Sequence, residues 1–112
     1  MRRVILESPY KADTPAGIAA NEAYARACMR DCLHRDEAPI ASHLLYTQPG
    51  VLRDDVPEER ALGIEAGLAW GWVADATVVY TDRGITEGMR KGIERAEAEN
   101  RPVEMRALRG GA

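Results

Sequence analysis

The sequence predicts an α/β fold of three layers, α/β/α, around an open parallel sheet of about four strands, and three observations carry that prediction. Short apolar runs alternate with helix-length stretches in the order β-α-β-α-β-α-β. The first run, Val4-Ile5-Leu6, is continuously apolar, the pattern of a strand covered on both faces. The intervening stretches are long enough to cross between parallel neighbours, and right-handed crossovers place helices on both faces of the sheet. At 112 residues, 46% hydrophobic and 29% charged, the chain has the size and balance of one globular domain, residues 1–112. It has no Phe, two Trp and four Tyr, while Ala supplies 18 residues. A core of Ala, Val, Ile, Leu and Met follows, and small side chains favour close helix packing.

The first strand ends at Glu7-Ser8-Pro9. Asp13-Thr14-Pro15 then supplies a cap and a proline at the first helical position, opening a helix over 15–34. Ile18, Tyr24 or Ala25, Cys28, Met29, Cys32 and Leu33 fall on one face, with Glu22, Arg26, Arg30 and Asp31 opposite. Cys28 and Cys32 read as free thiols; His34 lies roughly 200° round the helix from Cys32, so the three do not share a metal. Pro39-Ile40-Ala41-Ser42 reads as a second short strand.

Residues 43–57 show no periodicity, and a loop of that length in a small domain is often functional. Pro57-Glu58-Glu59 opens a second long helix, over 57–73, with the acids where the helix dipole favours them. Its apolar residues, Leu62 to Val73 with Trp70 and Trp72 among them, cover nearly the whole circumference. One face suits the sheet, and a second copy of the chain is the natural cover for the rest, so a homodimer through this helix is expected. Glu65 interrupts the apolar surface and needs a partner if buried.

Ala76-Thr77-Val78-Val79-Tyr80 is the clearest strand. The turn Thr81-Asp82-Arg83-Gly84 follows, then a helix capped by Thr86 that keeps Met89, Ile93 and Ala96 in register to about Asn100. Pro102-Val103-Glu104-Met105 reads as the last strand, and residues 106–112 have nothing to bury and are expected to fray.

Fifteen basic and eighteen acidic residues give a net charge of −3, divided evenly along the chain. Nucleic-acid binding needs a concentrated basic stripe and is not expected. A small anion held by one or two of the thirteen Arg remains compatible. The N-terminal apolar run is too short for a signal peptide, and no window approaches the roughly 20 apolar residues of a membrane span, so a cytoplasmic protein that binds no membrane is expected. No cofactor or metal is expected.

In open α/β sheets of the flavodoxin-like or Rossmann-like kind, ligands bind beyond the carboxyl ends of the strands where strand order reverses. That rule nominates residues 7–13, 42–55 and 81–88. The candidate acids there are Glu7, Asp82 and Glu87, with Glu59 and Glu65 able to enter from the second helix. Thr86 with the amides of Glu87 and Gly88 opens a helix just after Gly84, an arrangement suited to an anion. Ser8 and Tyr10 offer hydroxyl donors, and His43, Tyr46 and Gln48 offer groups to stack on or hydrogen-bond a base.

These segments resemble a known group. Ile5-Leu6-Glu7-Ser8-Pro9-Tyr10 is similar to the first strand and loop of the nucleoside 2-deoxyribosyltransferase-like superfamily. Ala74-Asp75 with the strand to Tyr80, Asp82, Gly84, Gly88-Met89-Arg90-Lys91-Gly92-Ile93 and Arg101-Pro102-Val103 is similar to its ending, and small phage and bacterial members of unassigned function are the most alike. The resemblance implies a domain that binds a nucleoside or nucleotide and cleaves or exchanges its N-glycosidic bond, with a Glu nucleophile on the helix after the Gly-rich turn. With Gly92 aligned to the glycine two residues after that Glu, the position holds Arg90; Glu87 lies three residues earlier. Arg90 would attract phosphate where an enzyme needs a carboxylate. A catalytically degenerate nucleotide-binding module that sequesters or senses its ligand is therefore the alternative, and a dimeric scaffold a third.

Overall fold

A computed structural model describes residues 1–108. β1 (Arg2–Glu7) leads to α1 (Pro15–His34), β2 (Glu37–Ile40), a one-turn α2 (Ser42–Leu45) and α3 (Pro57–Ala69), which ends in a 3-10 turn, Trp70–Val73. β3 (Ala76–Tyr80), α4 (Glu87–Ala98) and β4 (Val103–Arg106) complete the order. The four strands form one all-parallel sheet in the order β2-β1-β3-β4. The chain moves from β1 to one side and then returns past it, so strand order reverses between β1 and β3. This is the three-layer α/β/α sheet that the alternating pattern predicts. Among the described residues no helix is long and apolar enough to cross a membrane.

The helix starts are encoded locally. Thr14 accepts the Gly17 amide at 3.0 Å with Pro15 at the first helical position. Thr86 does the same for Met89 at 3.3 Å. On the α1 face of the sheet Val4, Leu6, Ala76, Val78 and Tyr80 pack with Cys28, Cys32 and Ala41. All five residues of β3 are buried, as a central parallel strand requires. The thiols of Cys28 and Cys32 are free and buried, and burial pushes the Cys28 thiol up to about 12.

Several boundaries differ from the sequence reading for identifiable reasons. β2 starts at Glu37, and Pro39 lies inside it, tolerated because β2 is an edge strand. His43 belongs to the turn of α2 rather than to a loop, and Thr47 caps that turn by donating to the His43 carbonyl at 2.6 Å. α3 does not lie flat on the sheet: its only buried residue is Gly67, where a Cβ would run into the Ser42 side chain of α2. Leu62, Trp70, Trp72 and Val73 are exposed, and so is Glu65, which therefore needs no partner. In α1, Leu33 is exposed, while Asp31 turns inward to accept the buried Tyr80 hydroxyl at 2.6 Å.

The expectation that the chain frays from Arg106 onward is corrected for residues 106–108; residues 109–112 lie outside the described residues. Arg106 closes a ring of charges. It bonds Glu37 (2.6 and 2.7 Å) and Glu104 (2.9 Å), and Arg2 bonds the same two carboxylates at 2.6 and 2.7 Å. The Arg106 and Glu37 side chains are each only 6% exposed. Two Arg and two Glu from β1, β2 and β4 thus satisfy one another over the sheet.

Candidate functional site

A cavity of about 590 Å³ opens beyond the carboxyl end of β1, on the side where strand order reverses. The β1 end and following loop form one wall, α2 and the residues after it a second, α3 a third, and the start of α4 the fourth. Period-2 alternation turns Glu7, the last residue of β1, away from the core on which Leu6 packs. Its carboxyl group meets α4 at Gly92, where a Cβ would collide with it, so only glycine leaves it room. Glu7 has no hydrogen-bond partner among the described residues, yet no buried polar atom is left sealed without one. Its carboxyl is therefore reached from the cavity. Burial raises its pKa from 4.5 to about 8, with Arg101 opposing the rise.

Arg101 is held from behind by Thr77 Oγ1 (3.0 Å), the Gly71 carbonyl (2.9 Å) and Glu99 (2.6 Å). Beside Glu7, Ser8 is buried and its Oγ lies 2.7 Å from His43 Nε2, joining the β1 loop to α2. Burial lowers the His43 pKa to about 4, so the ring is neutral near pH 7. Asn21 fixes the loop by donating to the Tyr10 carbonyl at 2.9 Å. Opposite, the Tyr46 hydroxyl accepts the Trp70 indole N–H at 2.8 Å, and Arg60 pairs with Asp54 at 2.9 Å. Two tyrosines, a neutral Ser-His pair and a protonated carboxyl group suit a polar organic ligand with ring and hydroxyl groups.

Among the sequence-predicted residues Glu7, Ser8, Tyr10, His43, Tyr46, Thr86, Glu87 and Gly88 line this cavity together, as does Glu59. Asp82, Gln48, Gly84 and Arg90 do not, and neither does Glu65. Asp82 lies at the end of β3 as expected, but its carboxylate accepts the Tyr24 hydroxyl (2.6 Å) and the Leu108 amide (2.9 Å). It ties the strand end to α1 and to the end of β4. Gly84 serves the turn, with φ of +85°, and Gln48 and Arg90 are exposed.

Sequence reasoning passed over Arg60 and the inner face of α3, and did not single out Lys11 and Asp54 within the segments it nominated. That face had a signal: Arg60, Gly63, Ile64, Gly67 and Leu68 recur at i, i+3, i+4, i+7 and i+8, with glycines where an apolar stripe would carry bulk. No curated protein and no solved structure matches the chain. A family model described as Domain of unknown function (DUF7768) matches residues 2–106, nearly the whole sequence, and the chain belongs to that family.

Proposed function

We propose that this cavity binds a nucleoside or nucleotide and that the domain hydrolyses or transfers at its N-glycosidic bond, with Glu7 as the acid. The carrying observation is Glu7 itself: a carboxyl group without a partner, desolvated to a pKa of about 8 and open to a cavity of nucleoside size. The resemblance of residues 5–10 and 74–103 to the nucleoside 2-deoxyribosyltransferase-like superfamily supports the reading.

Breaking a C–N glycosidic bond leaves electrons on the base and an oxocarbenium-like sugar, so it calls for a proton donor at the base and a carboxylate near the anomeric carbon. At pH 7 Glu7 holds its proton and suits the first task. It gives that proton to the base nitrogen as the bond breaks. Water adds to the anomeric carbon and loses its proton to an ionised carboxylate of the wall, a role we assign to Glu87. Free base and 2-deoxyribose leave; in transfer, a second base takes the place of water. Ser8 and His43 hold the sugar hydroxyls, and Tyr10 and Tyr46 the base. We also propose a homodimer through the exposed apolar surface from Leu62 to Val73.

The test is chromatographic. The protein is incubated at high concentration with a panel of deoxynucleosides and their 5′-monophosphates, and free base is measured. Base release that falls by at least about a hundredfold in Glu7→Gln is expected for loss of a general acid. Release from no substrate sinks the catalytic reading.

A further inference from the structure

We infer that the site takes a ligand without a phosphate group, an uncharged or cationic nucleoside, and discriminates against the corresponding 5′-monophosphate. The inference rests on the nucleoside reading of the cavity and narrows it. Of the charged groups in the wall, Arg60 is already bound to Asp54, and Glu59 accepts the Arg53 backbone N–H at 2.8 Å. Asp13 and Glu87 then remain, neither in an ion pair or hydrogen bond among the described residues, against Lys11, while Glu7 holds its proton near pH 7 and adds no charge. A dianionic phosphate here faces carboxylates with one ammonium group to offset them.

The one element suited to phosphate is the start of α4, and it is set against that use. Thr86 Oγ1 is occupied by the Met89 amide, and Glu87 places a carboxylate in the first turn, where an incoming phosphate would sit. Arg90, the side chain that would have attracted phosphate, does not line the cavity. Sugar hydroxyls and an exocyclic amine are donors, and the carboxylates of Asp13 and Glu87 are acceptors that suit them and not a phosphate.

Calorimetric titration near pH 7 and low salt, comparing 2′-deoxynucleosides with their 5′-monophosphates, tests this. The nucleoside is expected to bind at least about tenfold more tightly. Glu87→Gln combined with Asp13→Asn, both at exposed positions, is expected to raise monophosphate affinity several-fold. Monophosphate bound as tightly as nucleoside overturns the inference while the nucleoside reading stands. A cooperatively melting protein that binds neither overturns the reading and the inference with it. Unchanged monophosphate affinity in the double variant also overturns the inference, since the carboxylates would then not be the discriminating groups.

Discussion

Glu7 holds its proton more tightly in the folded chain, at about 8, than at the ordinary value of 4.5. The stability this confers is complete below about pH 4.5 and is lost as pH rises through 8, when folding must hold a desolvated charge. At about 1.4 kcal/mol per unit, the loss amounts to a few kcal/mol. Glu7→Gln is therefore expected to match the parent protein in urea unfolding near pH 4 and to exceed it near pH 9; equal stability at both would contradict the desolvated acid. His43 has the opposite sign. Its folded value, about 4, lies below the ordinary 6.5, so its contribution is present above pH 6.5 and lost as pH falls toward 4. A His43 ring that titrates near 6.5 by NMR would contradict its burial. Sequence favours Asp82, the acid at the carboxyl end of the clearest strand, over Glu7. In the structure the helix packed against each decides: Gly92 of α4 leaves room for the Glu7 carboxyl, whereas a tyrosine hydroxyl from α1 claims Asp82.

Elements meet the cavity through small residues. Gly92→Ala puts a methyl group into the Glu7 carboxyl, so a destabilisation of about 1–3 kcal/mol is expected, as for overpacking. In a Glu7→Ala background most of that cost should vanish, and a double-mutant cycle without coupling would count against the contact. The charge ring makes a separate prediction. Glu37→Gln leaves the Arg106 guanidinium buried against a weaker partner, and about 3–5 kcal/mol should be lost in chemical denaturation. The same ring explains why the outer strands were harder to read than β3. Hydropathy marks Ala76–Tyr80 as buried, but it cannot show that Glu37 and Arg106 are covered because they neutralise each other from the two edge strands of the sheet. Likewise α2 is a single turn, too short for any periodicity, although it brings His43 to the site.

At the scale of the molecule, α3 stands off the sheet and encloses the cavity, and the cost is an uncovered outer surface. Trp72 is 78% exposed beside Trp70, Leu62 and Val73. Both tryptophans of a Phe-free chain are thus exposed at the end of α3, where a second copy would cover them. Light scattering at tens of micromolar should give twice the 12.3 kDa chain mass, falling toward the monomer in Trp72→Ser. A monomeric parent protein would remove the dimer. The succession of elements and the parallel sheet were legible from the alternation; the order of strands within the sheet and the enclosure by α3 were not, because an all-round apolar helix does not say which face it turns inward. The central claim is that Glu7 is the desolvated acid of a nucleoside site, and a carbon-13 titration of its carboxyl group, with and without a deoxynucleoside, tests it most directly. A midpoint near 8 that moves when ligand is added is the predicted result. A midpoint near 4.5, unmoved by every nucleoside tried, would contradict it.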